Sequence, residues 1–337
     1  MRASAALACV VVCVVASSVV SRGQQPPQQP PAAEPATPLP WAYPLNPPPA
    51  GRGAPPAPQP DPTPRRVVGS SLAFTQAQLR DLFNVPDWHP DNHPPMPDVV
   101  AHGRRPDVRA CGFCHLPNGQ GRPENSSLAG LPAPYIEQQM ADFRAGRRKS
   151  SEPRMGPPAL MLTIGQTATS EESAAAAAYF ASFSYRKWIR VVEQNTVPRT
   201  RVQGGMLVPA EGGGTEPIGQ RIIEMPEDLE RTEVRDSASG FVAYVPVGAV
   251  MRGQTLVTTG GNGRTVACGT CHGADLKGLG PVPPIAGRSP SYTVRQLWDL
   301  KTGNRNGLWS PLMKAAVEKL TQEDLVVVAA YTASREP

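Results

Sequence analysis

A five-residue string occurs twice in this chain, Cys111-Gly112-Phe113-Cys114-His115 and Cys268-Gly269-Thr270-Cys271-His272. Whatever folds around it must serve two thiols one helical turn apart and an imidazole directly after them. That spacing is the c-type haem attachment pattern. The two sulfurs reach the two vinyl groups of one porphyrin, and the histidine is delivered to the iron. Thioredoxin-like redox pairs and zinc ribbons also use paired cysteines. A redox pair gives no reason for the histidine, and zinc would draw both pairs into one tetrahedron. Two covalently attached haems are therefore expected, held by Cys111 and Cys114 and by Cys268 and Cys271, with His115 and His272 as proximal ligands.

The repeat extends well beyond the motif. Shifting the chain by 157 positions aligns the two regions without a gap, placing Gly121 on Gly278, Ala129-Gly130 on Ala286-Gly287 and Tyr135 on Tyr292. Gln139 then falls on Gln296, Asp142 on Asp299, Gly146 on Gly303 and Arg148 on Arg305. With a slightly shorter shift Met161 meets Met313, Thr169 meets Thr321, and Ala-Ala-Tyr-x-Ala-Ser closes both copies. A period this long indicates a duplicated domain, not a solenoid.

Each copy resembles a class I cytochrome c, and the pair resembles the dihaem class I cytochromes of bacterial periplasms, over roughly residues 97–184 and 249–334. The resemblance implies a mainly α fold: two tandem cytochrome c domains joined by an irregular β-containing insert, behind a proline-rich, disordered N-terminal segment. Expected boundaries are 1–21 for a signal peptide, 22–66 for the proline-rich linker and 67–184 for the first cytochrome domain with an N-terminal wrap. The insert is expected at 185–248 and the second domain at 249–337. The family also implies a methionine sixth ligand in the loop before the last helix. Met313 is the one methionine in that stretch of the second copy. Met155 and Met161 compete in the first; Met161 lies eighteen residues before Tyr179, as Met313 does before Tyr331. Met161 is the expected ligand and Met155 the runner-up, so that Lys149–Pro158 holds five extra residues. Where family members often offer a proline carbonyl to the proximal histidine, the second copy has Pro283-Pro284 and the first Ser126-Ser127. A backbone carbonyl serves in either case.

Local signals place the helices. The helix around Tyr135–Ala145 is expected to stop at Gly146. Thr169-x-x-Glu172 and Thr321-x-x-Asp324 are cap patterns that open the last helix of each copy. A short amphipathic helix is expected over Phe74–Phe83. After it, His89 and His93 sit four apart, but flanking prolines deny them a shared helical face, so an extended wrap is expected, with Trp88 covering the first haem domain. Between the copies, Trp188–Glu193, Arg221–Glu224 and Phe241–Pro246 read as short strands.

Arg2, the uncharged run Ala3–Val20 and the small residues before Arg22 form an export signal, with cleavage expected after Ser18 or Ser21 and an uncleaved membrane tether as the alternative. Removal of Cys9 and Cys13 with it leaves only the four motif cysteines of the six in the chain. The proline-rich stretch is expected to be an extended spacer that buries no core. Periplasmic localisation follows.

The expected function is single-electron transfer between redox protein partners, not catalysis. A haem subunit of a dehydrogenase or oxidase complex is the alternative, and a dihaem peroxidase a weaker one, because matched methionines leave no open iron. From Met251 onward basic residues exceed acidic ones, ten to six, so an acidic partner is expected at the second haem. Basic residues are not interleaved with aromatics, which argues against nucleic-acid binding.

Overall fold

The computed structural model describes residues 39–48 and 61–337. The export segment and most of the proline-rich stretch lie outside the described residues. The described chain is mainly helical, with a small sheet between the two motif-bearing halves.

In the first half the motif forms helix α1 (Cys111–His115), followed by α2 (Ala133–Arg144), α3 (Gly156–Thr167) and α4 (Ser170–Ala181). Gly146, just past α2, adopts a left-handed φ of 65° and ends the helix as expected. At the start of α4, Thr169 Oγ1 accepts from the Glu172 amide and the Glu172 carboxylate accepts from the Thr169 amide. The second half contains α5 (Ala249–Thr259), α6 (Gly269–His272), α7 (Pro290–Thr302), α8 (Ser310–Val317) and α9 (Gln322–Ser334), the last opened by the same device at Thr321 and Asp324.

The halves are not equal. Helix α5 crosses α9 so closely that a Cβ on Gly253 would collide with the Val327 carbonyl. Among the described residues, the first half has only the short α-helical turns Gln76–Leu79 and Asp98–Ala101 ahead of its motif. Pro94, Pro95 and Pro97 before the second turn and Pro106 after it deny longer helical backbone there.

Residues matched by the repeat join the halves. Arg148 donates to Gln139 in its own half at 2.9 Å and to the Tyr292 hydroxyl at 2.8 Å in the other. Arg305 mirrors it, donating to Gln296 at 3.2 Å and to the Tyr135 hydroxyl at 2.8 Å. The extra residues of the first half lie across the second: the Lys149 amide donates to the Asn304 carbonyl, and the Ser151 amide to Asp299 Oδ1 at 2.8 Å.

The insert forms a three-stranded sheet in the order β1 (Ile189–Glu193), β3 (Phe241–Val245), β2 (Ile223–Pro226), with β1 parallel and β2 antiparallel to β3. Ile189, Phe241, Ala243 and Val245 join the core of α5 and α9. The three expected strands are present. An additional hairpin pairs Thr200–Gln203 with Met206–Pro209 through Gly204-Gly205, both at positive φ, the geometry of a two-residue turn.

Three expectations are corrected. The proline-rich stretch is not a spacer throughout, since Leu39, Ala42 and Tyr43 are buried in the core of the second half, where Tyr43 donates its hydroxyl to Asp299 at 2.9 Å. Three apolar side chains in five residues suffice to dock a segment whose composition says otherwise. The Phe74–Phe83 helix shrinks to Gln76–Leu79, capped by Thr75. Trp88 packs on Val67, Leu79 and Val234 and donates to the Val234 carbonyl at 2.8 Å, so it ties the wrap to the insert. His89 and His93 are taken up by Asp236 and Asp87 at 2.9 and 3.0 Å.

Docking of Leu39–Tyr43 has a measurable consequence. Tyr43→Ala is expected to destabilise the holoprotein by about 3–5 kcal/mol in urea unfolding. A change below about 1 kcal/mol would mean the segment is only loosely held.

Candidate haem sites

Both motifs fold into short helices that turn sharply after the histidine: Leu116 and Gly273 adopt φ of 65° and 83°. The chain then doubles back, with the Gly121 amide donating to the His115 carbonyl and the Gly278 amide to that of His272. Glycine is required in this loop. A Cβ at Gly121 would lie 2.5 Å from the Ser126 carbonyl oxygen, and one at Gly278 2.8 Å from that of Val282.

The loop brings a carbonyl to each imidazole. His115 Nδ1 lies 2.8 Å from the Ser126 oxygen and His272 Nδ1 2.8 Å from that of Pro283, eleven residues on in both copies. A carbonyl only accepts, so Nδ1 carries the proton and the Nε2 lone pair is left for a metal. Burial lowers the pKa of both imidazoles, which favours the neutral, ligating form.

The thiols sit in apolar surroundings. Burial pushes Cys111 up to about 12 and Cys268 to about 11, and raises Cys114 as well. Reactive cysteines have depressed pKa values, so these apolar surroundings do not activate a thiolate as a redox dithiol needs. Cys114 is half-buried, whereas Cys271 is exposed.

Helices α1 to α4, together with Arg235 of the insert and Tyr292, Arg295 and Asp299 of α7, line a cavity of about 530 Å³ that also holds Cys111, Cys114, His115, Leu131, Ile136, Met161, Ile164 and Phe180 on its walls, a volume within the usual ligand range of roughly 300–1,000 Å³. Met161 thus faces the same space as His115. Met155, only 1% exposed, belongs to the other core, with Leu39 and Tyr43. The five extra residues are spent reaching the second half, and they carry Met155 there.

The charged lining is predominantly basic: Arg109, Arg122, Arg148, Lys149, Arg235 and Arg295 against Glu124, Glu172 and Asp299. An apolar slot with paired thiols, a tautomerically fixed imidazole, a thioether and excess positive charge fits haem, whose two carboxylates are anionic. Of these residues sequence reasoning missed Arg109, Arg122, Glu124, Arg235 and Arg295. Arg148 carried a signal as a repeat match; Arg235, in the insert, carried none.

In the second half His272 is 7% exposed, and Cys268, Ile285 and Met313 pack on one apolar cluster with Leu276 and Leu297. Val266, Leu279 and Leu312 are 56%, 63% and 79% exposed, leaving much apolar surface open in this half.

No protein-family model matches the chain. Among curated proteins, the thiosulfate dehydrogenase electron acceptor of Stutzerimonas stutzeri is 38% identical over 81 residues, 23% of this chain and 36% of that protein. Cytochrome c4 of Stutzerimonas stutzeri is 32% identical over 135 residues, 35% of this chain and 63% of its own. Cytochrome c-554(548) of Halomonas halodenitrificans is 34% identical over 77 residues, 23% of this chain and 93% of that protein. The chain thus spans between about a third and two thirds of the first two relatives and nearly all of the third. With two complete attachment motifs, each followed by its histidine-orienting carbonyl, the chain belongs to the dihaem class I c-type cytochromes.

Proposed function

We propose that the chain is an exported, periplasmic electron carrier that moves one electron per haem between redox protein partners and catalyses no reaction of its own. Cys111 and Cys114 would hold the first haem and Cys268 and Cys271 the second, with His115 and Met161, and then His272 and Met313, as the residues that would ligate each iron. The observation that carries this reading is the matched pair of buried imidazoles, each donating Nδ1–H to a backbone carbonyl beside its two thiols. Bound haem supplies a one-electron iron couple, whose potential the axial ligands and surroundings set. The chain's own residues orient the imidazoles, exclude water and offer the thioethers.

Export rests on the apolar run Ala3–Val20. Among the described residues no helix is long and apolar enough to cross a membrane, so a membrane tether would lie in that N-terminal run. The domain boundaries at 67–184, 185–248 and 249–337 are part of the same proposal. The open apolar surface of the second half, with its basic excess, is the expected docking face for an acidic partner.

A redox titration followed in the visible and near infrared tests the reading. Two one-electron steps are expected, each ferric haem showing the weak methionine charge-transfer band. A five-coordinate haem with peroxide turnover would overturn it in favour of a peroxidase. A second reading, electron acceptor or haem subunit of a dehydrogenase, is favoured by the name of the first relative. Copurification with a catalytic subunit separates it from a free shuttle.

A further inference from the structure

The insert reaches the first haem site through Arg235, which lines its cavity. Its segment Thr232–Ser237 lies over the Cys114 side of the cavity and is pinned on both flanks. The Ser237 carbonyl accepts from Asn118 at 2.8 Å and the Val234 carbonyl from Trp88 at 2.8 Å. Asp236, its side chain fully buried, binds His89 and Arg231. Between these anchors Arg235 takes a left-handed φ of 61°, a conformation that a non-glycine residue holds only when its surroundings impose it. Its guanidinium is thereby aimed into the cavity wall. It donates to the Phe113 carbonyl at 2.8 Å and lies 3.7 Å from the Phe113 ring centre.

This wall carries more positive than negative charge. Arg122 and Arg235 line the cavity here together with Glu124, and Glu124 is already paired with Arg122 at 2.5 Å. Burial, and then Arg122, lower the pKa of Arg235, yet a guanidinium keeps its proton at neutral pH. The repeat shift places Leu279 at the position of Arg122 and Thr270 at that of Phe113. Leu279 is 63% exposed. The second copy therefore offers open apolar surface where the first has a closed, cationic wall.

We propose that Arg235 sets the two haems apart in potential: held against the Cys114 side of the first haem, its charge favours the reduced, less positive iron there and leaves the second haem unaffected. The inference rests on the dihaem reading above. Net charge and burial are among the levers that fix haem potentials, and a charge held away from solvent acts with less screening. Arg235 is a positioning residue of the insert, acting through the field in the pocket.

The test uses the full-length holoprotein. Haem per chain is counted first by the pyridine haemochrome assay, then both potentials are read by spectroelectrochemistry in the wild type, Arg235→Gln, Arg235→Met and Arg235→Lys. The wave that disappears in a chain lacking Cys111 and Cys114 belongs to the first haem. With Gln or Met, that wave is expected to move to lower potential by about tenfold in the reduced-to-oxidised ratio, ~59 mV for one electron. The other wave stays, and Lys restores the original position. First-haem potentials unchanged in both neutral variants would overturn the proposal, as would equal shifts of both waves or a Lys variant that behaves like Gln. A wild-type chain with fewer than two haems would overturn the dihaem reading itself, a result distinct from a full haem count with unmoved waves.

Discussion

Replacing Cys111 and Cys114 by alanine is expected to lower the haem content from two per chain to one and to unfold most of the first half. The attachment thiols are lost, but the larger consequence is the space left behind. An apolar cavity of about 530 Å³ cannot stay empty cheaply. At roughly 24 cal/mol per Å³ the void alone would cost on the order of 13 kcal/mol, as much as the whole stability of a typical domain, about 5–15 kcal/mol. Leu131, Ile136, Ile164 and Phe180 would collapse inward instead, and α2 to α4 would lose their registry. The second half should keep its haem, because α5, α7 and α9 share a separate core with the insert. Haemochrome absorbance and limited proteolysis check both parts. A variant that still carries two haems would show that these cysteines are not the attachment site.

The second large effect separates two methionines six residues apart. Met161→Ala should abolish the methionine–ferric band of one haem and lower its potential, since a neutral thioether favours Fe(II) over Fe(III). Stability should fall less than in Met155→Ala. Met155 is buried at 1% exposure against Tyr43 and its neighbours. Its truncation should cost about 2–5 kcal/mol in chemical unfolding while both bands persist. The opposite pairing of results would make Met155 the ligand and Met161 filler.

Much of the site could be read from residue spacing. Two thiols, a histidine and a carbonyl eleven residues later lie within one short loop, and glycines at Gly121 and Gly278 let that loop close. The caps at Thr169 and Thr321 are equally local, because cap geometry is set within four residues. Composition misled at Leu39–Tyr43: proline content describes the average of a stretch, whereas docking depends on the few residues that find a groove. The strand pattern found the sheet but overlooked the hairpin at Gly204-Gly205, which joins runs of only four residues.

Two attached haems and the duplication that relates them were legible in the sequence alone, and so was the pairing of each histidine with its two neighbouring thiols, since each depends on groups that are neighbours along the chain. Which methionine faces His115, what the extra loop residues do and where the insert sends Arg235 were decided by the tertiary structure. Arg235 meets Phe113 across 122 residues, and Tyr43 meets Asp299 across 256. Contacts of that span arise only when cores pack together, and no local pattern encodes them.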